Sequence, residues 1–326
     1  MELERVKGNT WVLKSWELIP LYQIDDHRCI LLDTGTVDQR EELEAALAGA
    51  GLTPVGILGS HAHMDHMGSY AYYQSRGATL ALTLGEAGQL FSPLGLQLQY
   101  YNLNVEAFDQ YPELGTAPCL PDQIILPGEE TVTLCGVPFG LVRTPGHTVD
   151  HICIRTPDDV LYVGDAMMTG RILHHAKFPF ALCMGAYLDS LGKLRQEKAA
   201  QYIVAHRGIY RELIPFIDLE LQFLTSRMLS LLDLVEDGTT PKQLTAAICQ
   251  TYQIHTTNLR SMAYFEQSSQ SYLHYLVGQG HLELYIEGDT LLCRRTAASR
   301  AWAQARKTTP NLPKPGQFYT AWNQPV

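Results

Sequence analysis

A layered α/β fold is what this sequence predicts, on three observations. Short apolar runs alternate with amphipathic stretches of helical period, giving a β-α-β-α-β order in the first part of the chain. Several apolar runs between residues 10 and 208 stop at Gly or Pro turns, as strands do at the edge of a sheet. The 326 residues, 46% apolar and 18% charged, have a globular composition with room for one large domain and a small one.

Taken in order, Trp11-Val12-Leu13 and Trp16-Glu17-Leu18-Ile19 read as strands, Asp25-Asp26-His27 as a turn, and Cys29 to Leu32 as a buried strand. That strand ends in Asp33-Thr34-Gly35. Such a carboxylate either orients a neighbour or bonds its own backbone, and on this stretch alone the turn is the favoured reading. Val37 to Ala50 is an amphipathic helix closed by Gly51. Val55 to Gly59 is the next strand, followed by a helical pattern from Met67 to Arg76. Ala78 to Leu82 is another strand, with Thr83 capping a helix through Leu90. Residues 91 to 130 are irregular and rich in Pro, Gly and Tyr. Tyr100, Tyr101 and Tyr111 there either line a substrate entrance or pack over the edge of the core. Thr131 to Leu134 and Val137 to Arg143 pair around Gly136, and His151 to Arg155 with Val160 to Val163 form a hairpin. Gly185 to Gln201 is a helix and Tyr202 to Ala205 a strand. Arg211 to Glu236 is a long helix that tolerates Pro215 only near its start.

The chemistry is concentrated in Ser60-His61-Ala62-His63-Met64-Asp65-His66, four of whose seven residues can bind a metal. A strand end would place His61, His63 and Asp65 on one side by alternation, with His66 starting the next helix and facing a second point. Three further apolar runs end in His147 (within Thr144-Pro145-Gly146-His147-Thr148), in Asp165 and in His206. Strands of one sheet system present their ends on a common edge, so these residues can converge. Convergence predicts two positions: His61, His63 and His147 for one metal, Asp65, His66 and His206 for the other, with the two oxygens of Asp165 between them. Imidazole-rich sites of this kind suit zinc, with Fe or Mn as competitors. Two such ions can hold one hydroxide nucleophilic at neutral pH, while Asp65 is the candidate to pass a proton to a leaving group. The expected cofactor is thus two Zn²⁺ per chain.

Composition removes several other classes. The formal net charge of −10 argues against a broad nucleic-acid grip. No apolar run approaches the roughly 20 residues of a membrane span, and the N-terminus lacks the apolar core of a signal peptide. Seven cysteines with no C-x-x-C pair are expected to be reduced, buried thiols of a cytoplasmic protein.

The run His61-x-His63-x-Asp65-His66 followed by His147, Asp165 and His206 resembles the metallo-β-lactamase superfamily. Its motifs occur in order over residues 10 to 208. The resemblance implies a four-layer αβ/βα sandwich with metals at the edge between two sheets, and hydrolysis of an ester, thioester, lactone, amide or phosphodiester. It also reverses the reading of Asp33, which matches that family's first motif as a carboxylate orienting the site. Asp165 argues against β-lactamase activity, because the antibiotic-hydrolysing members generally lack a bridging Asp there. Met168 stands where quorum-signal lactonases tend to place Tyr. The run through Asp150 and His151 is similar to the glyoxalase-II-like and endoribonuclease-like branches. His151 is read as a supporting or core histidine, His174 and His175 as rim, and Met167 and Met168 as core.

Residues 237–300, helices followed by a hairpin at Gly288-Asp289, resemble a winged-helix module, and 301–326 reads as an extended tail. The catalytic domain is therefore drawn as 1–236. Basic residues exceed acidic ones by only three between 239 and 307, so docking or dimerisation is favoured over nucleic-acid binding. The expected protein is a di-metal hydrolase of a small acyl ester or thioester. Its partner is a small-molecule substrate, with no membrane and with a homodimer left open. The alternatives are a metal-dependent endoribonuclease and a mononuclear iron persulfide dioxygenase.

Overall fold

A computed structural model describes residues 1–92, 95, 118–206, 208–299 and 301–302. Tyr100, Tyr101, Tyr111 and the tail from residue 303 lie outside the described residues, as does the side chain of His174. The chain forms two compact units, Met1–Met167 with Ala186–Leu213, and Met168–Gly185 with Ile214–Val326.

The first unit holds two sheets. The seven-stranded sheet runs in chain order: β1 (Glu2–Lys7), β2 (Thr10–Lys14), β3 (Leu18–Gln23), β4 (Arg28–Leu32), β5 (Thr53–Leu58), β6 (Thr79–Thr83) and β7 (Gln123–Ile125). Hairpins join β1 to β4 antiparallel, whereas β4 to β7 pair in parallel through helical crossovers. The six-stranded sheet comprises β8 (Thr131–Leu134), β9 (Val137–Arg143), β10 (Ile152–Arg155), β11 (Val160–Gly164), β12 (Gln201–Val204) and β13 (Gly208–Tyr210), ordered from β13 back to β8.

Sequence pattern follows position in these sheets. The β8 strand alternates exposed Thr with buried Val132 and Leu134, as an edge strand with one solvated face does. Interior β11 is buried along its whole length. Val12, Ile30, Leu32 and Leu58 from the first sheet join Phe139, Ile152, Ile154, Tyr162 and Ile203 from the second in one apolar core, so the two sheets face each other. Leu18 N–H donates to Ala205 O across that boundary.

Two local expectations are corrected. The helix placed at Met67 to Arg76 is two short helices, Met64–Met67 and Tyr70–Ser75. Cys135 and Cys183 are exposed rather than buried; Cys135 sits with Gly136 in the β8–β9 turn, both at positive φ as a tight two-residue hairpin requires.

The second unit contains the helices Gly170–Ala176, Ile214–Leu234, Pro241–Thr251 and Leu259–Gly278 and the hairpin β14 (Leu282–Glu287) and β15 (Thr290–Arg295). The long helix Ile214–Leu234 is counted here, although it precedes the boundary at 236 drawn from sequence. Its buried Ile217, Leu224, Met228 and Leu231 keep a helical spacing. Thr240 and Asn258 cap the next two helices by accepting from Gln243 N and Ser261 N. Among the described residues no helix is long and apolar enough to cross a membrane.

Candidate metal centre

The β5 strand ends at Leu58, and the chain continues as a loop through His61 until His63 starts the helix Met64–Met67. Strand alternation therefore does not place His61, His63 and Asp65, and the expectation of a common side is corrected. The loop and the first helical turn direct His63 to one donor group and Asp65 to another. From the second sheet come His147, on the loop between β9 and β10, Asp165, just beyond β11, and His206, just beyond β12.

Among the described residues two four-membered donor sets result, with Asp33, His61 and His66 as a third group that overlaps both. One contains His61, His63, His147 and Asp165, the other Glu17, Asp65, His66 and His206; within each, one donor atom per residue lies within 4.8 Å of the rest. All seven residues singled out as ligands are brought together, in the division read from the sequence. Asp165 faces both groups, with Oδ2 3.2 Å from His147 Nε2, and Oδ1 3.2 Å from His206 Nε2 and 3.5 Å from His66 Nε2. Asp65 Oδ2 is 3.5 Å from His206 Nε2. His63 Nδ1 and His147 Nε2 approach to 2.9 Å.

Asp33 organises the centre from behind. Its Oδ1 accepts from Ser60 N at 2.7 Å and Tyr70 OH at 2.9 Å, and its Oδ2 from Ser60 Oγ, His66 Nδ1 and Tyr162 OH. Because Ser60 Oγ donates to Asp33, it accepts from His61 Nδ1, 2.9 Å away. The His61 and His66 rings are thereby held with Nδ1 protonated and the Nε2 lone pair turned to the donor sets. Those two Nε2 atoms are buried and have no hydrogen-bond partner. Burial alone would raise the Asp33 pKa, but His66 and Ser60 outweigh it and hold the carboxyl below its usual range. Asp33 also carries a φ of 65°, a left-handed conformation uncommon outside glycine, but its carboxylate accepts from residues at least 27 positions away, so the reading of it as a turn former bonding its own backbone is corrected.

The rest of the electrostatics follows from burial and mutual contact. Burial and the surrounding imidazoles push His61 and His63 well below the ordinary histidine value, keeping them neutral and able to ligate. Burial works against charge on His66 and His206, yet Asp165 and other carboxylates hold both above that value, so a cation binding at His66 Nε2 would take the place of a proton there. Asp165 is likewise kept well below the carboxylate range by His206 and His66, against its burial. Among the described residues no Lys or Arg is ion-paired with Asp33, Asp65 or Asp165, whose charge is faced by imidazoles. A group of carboxylates and oriented imidazole lone pairs with no resident basic side chain fits divalent cations.

His151 belongs to neither donor set. It accepts from the backbone N of Asp165 at 3.1 Å through Nε2 and contacts Thr144 Oγ1 through Nδ1, so it fixes the loop that carries Asp165. Gly164, at φ 55°, lies where a Cβ would come within 2.8 Å of that Nε2, which is why β11 must end in glycine. Glu86, which the sequence offered only as a helix residue, is buried and ties the two ligand loops together. It accepts from Ala62 N, Thr148 Oγ1 and Asp150 N. Glu86→Ala leaves those three donors buried without an acceptor, at about 1–3 kcal/mol for such a group. A loss of about 3 kcal/mol in urea denaturation at fixed metal concentration is expected; a loss under about 1 kcal/mol would contradict the clamp.

The sequence profile of the metallo-beta-lactamase superfamily matches residues 15–206, more than half of the chain and every residue of both donor sets. The chain belongs to the metallo-beta-lactamase superfamily. Among solved members of similar fold, a metallo-beta-lactamase family protein from Thermus thermophilus is 20% identical with a TM-score of 0.67, covering 88% of this chain and 99% of that one. A beta-lactamase domain protein from Burkholderia ambifaria is 17% identical with a TM-score of 0.66, covering 90% and 94%. At these identities the likeness is one of fold. Among curated relatives, a hydroxyacylglutathione hydrolase from Xanthomonas euvesicatoria pv. vesicatoria (strain 85-10) is 29% identical over 154 residues, 47% of this chain and 46% of that protein. An atrochrysone carboxyl ACP thioesterase from Aspergillus fumigatus is 25% identical over 198 residues, 60% and 38% respectively. The chain thus spans about half the length, or less, of the curated superfamily members it matches.

Glu17 is the residue of the donor sets that sequence reasoning missed. It was read as part of an apolar strand, but it lies in the turn between β2 and β3, buried and directed inward. The available signal was a carboxylate flanked by Trp16 and Leu18 with no reason to be in an apolar run.

Proposed function

We propose that this protein is a di-metal hydrolase that cleaves a small acyl thioester or ester. The observation that carries the reading is Asp165, whose two oxygens are turned to two separate and complete donor sets. A full second set also favours two metals over the mononuclear iron alternative. The first set, three imidazoles and a carboxylate, suits zinc. Two bound divalent cations supply a water of lowered pKa and polarise the oxygen of the group under attack.

The chain's own residues do the rest. His61 and His66 present preset lone pairs, Asp33 holds those tautomers, and His151 steadies Asp165. Asp65, the most exposed member of its set at 32%, is the group placed to pass a proton to the departing group. A thiol leaving group, with an ordinary pKa near about 8.5, asks little of that acid. The Trp16 ring lies 5.0 Å from the His206 ring and is largely exposed, offering an apolar surface for an acyl chain beside the donors. The names of the curated relatives, hydroxyacylglutathione hydrolase and ACP thioesterase, support an acyl substrate. Residues 237–300 are read as a winged-helix-like module, on the helices followed by the β14–β15 hairpin.

The zinc-loaded protein is expected to hydrolyse one or more members of an acyl-thioester and ester panel. Activity should disappear on chelation and return with metal. Turnover of single-stranded RNA but of no acyl compound would replace this substrate class with the phosphodiester alternative.

A further inference from the structure

Glu17 is a buried carboxylate with no hydrogen-bond partner on either oxygen among the described residues. Its residue is 2% exposed, and both Oε1 and Oε2 lack a donor. A buried carboxylate is ordinarily paired or hydrogen-bonded, because leaving it bare costs several kcal/mol. It gathers with Asp65, His66 and His206, one donor atom of each lying within 4.8 Å of the others. There it stands with Asp65 among the carboxylates facing His66 and His206, and a cation held by the four would give its bare oxygens a partner.

We propose that Glu17 is a further ligand of the second metal position, added to Asp65, His66, His206 and the shared Asp165. The proposal rests on the two-metal reading above. It makes the two positions chemically unequal. The first takes three imidazoles and an oxygen of Asp165; the second takes two imidazoles and, with the other Asp165 oxygen, three carboxylates. Oxygen donors favour harder cations, so the second position accepts Mn²⁺ or Fe²⁺ more readily than the first, which keeps zinc. The acid comes from the β2–β3 turn, upstream of Asp33 and of the other ligands.

The test uses the full-length protein, Glu17→Gln and Glu17→Ala, stripped with chelator and titrated with Zn²⁺ and with Mn²⁺. Bound metal is read by elemental analysis and calorimetry. Wild type is expected to take two ions per chain. Both variants should keep the first ion and bind the second at least about 10-fold more weakly, with the larger loss for Mn²⁺. Retention of the first ion shows that a variant is folded, and Gln, close to Glu in shape, decides the matter should Ala not fold. Variants that bind two ions with wild-type affinity overturn the assignment while leaving the two-metal reading intact. A wild type that binds fewer than two ions overturns both.

Discussion

Asp165→Ala is expected to lower kcat/KM on the best acyl substrate by about 10³-fold or more, with a fall in bound metal. The two Asp165 oxygens are turned to different donor sets, Oδ2 at 3.2 Å from His147 Nε2 and Oδ1 at 3.2 Å from His206 Nε2. Lewis-acid stabilisation of a transition state is worth several kcal/mol, and about 1.4 kcal/mol corresponds to a factor of ten. Asp165→Asn keeps the shape but removes one anionic oxygen, so its loss should be smaller than that of Ala and in the same direction. The measurement is steady-state kinetics with metal analysis on the same samples. An Ala variant within tenfold of wild type, with two metals bound, would remove Asp165 from the centre.

The second large effect belongs to Asp33, and it falls on stability as well as activity. Five donors converge on its two oxygens, from Ser60, His66, Tyr70 and Tyr162. Asp33→Ala leaves all of them buried without an acceptor, at about 1–3 kcal/mol for each such group before relaxation. It also asks Ala to hold a φ of 65°, which adds about 1–2 kcal/mol. A total loss of about 4 kcal/mol or more is expected in urea denaturation, against a typical whole-domain stability of about 5–15 kcal/mol. Asp33→Asn tolerates the backbone and isolates the orienting role. Its amide nitrogen cannot accept: in place of Oδ2 it releases both His66 Nδ1 and the Ser60 Oγ that holds His61, so metal affinity should fall about 10–100-fold while the fold survives. Equal metal affinity in Asp33→Asn and wild type would mean that the rings are set by something else.

Much of this centre could be read from the chain because its donors follow apolar strands. His147, Asp165 and His206 each stand at the end of such a run, and sheets bring strand ends to one edge. The division into two sets was also legible. What sequence could not give was local geometry after Leu58. An alternating pattern of His, His and Asp looks like a strand, but a stretch of loop and a helical turn produce the same ligands with different directions. Glu17 and Glu86 were hidden for a related reason. A single carboxylate within an apolar or helical pattern shows its neighbours in sequence, and both act on partners far from them, Glu17 on residues 65 to 206 and Glu86 on residues 62 to 150. The boundary at 236 followed a change in pattern, whereas compactness depends on which helix faces are shared. The helix Ile214–Leu234 has a periodic apolar side that does not name its partner.

The placement of donors on both sheets has a consequence for how the protein matures. A nascent chain that has emerged only as far as β7 carries Glu17, His61, His63, Asp65 and His66, but none of His147, Asp165 or His206. The first donor set lacks members until residue 165 is out of the ribosome, and the second until residue 206 is out and β12 has aligned beside β11. Uptake of a cation by either set would then wait on both sheets, and an ion held there would rivet together two halves made at different times.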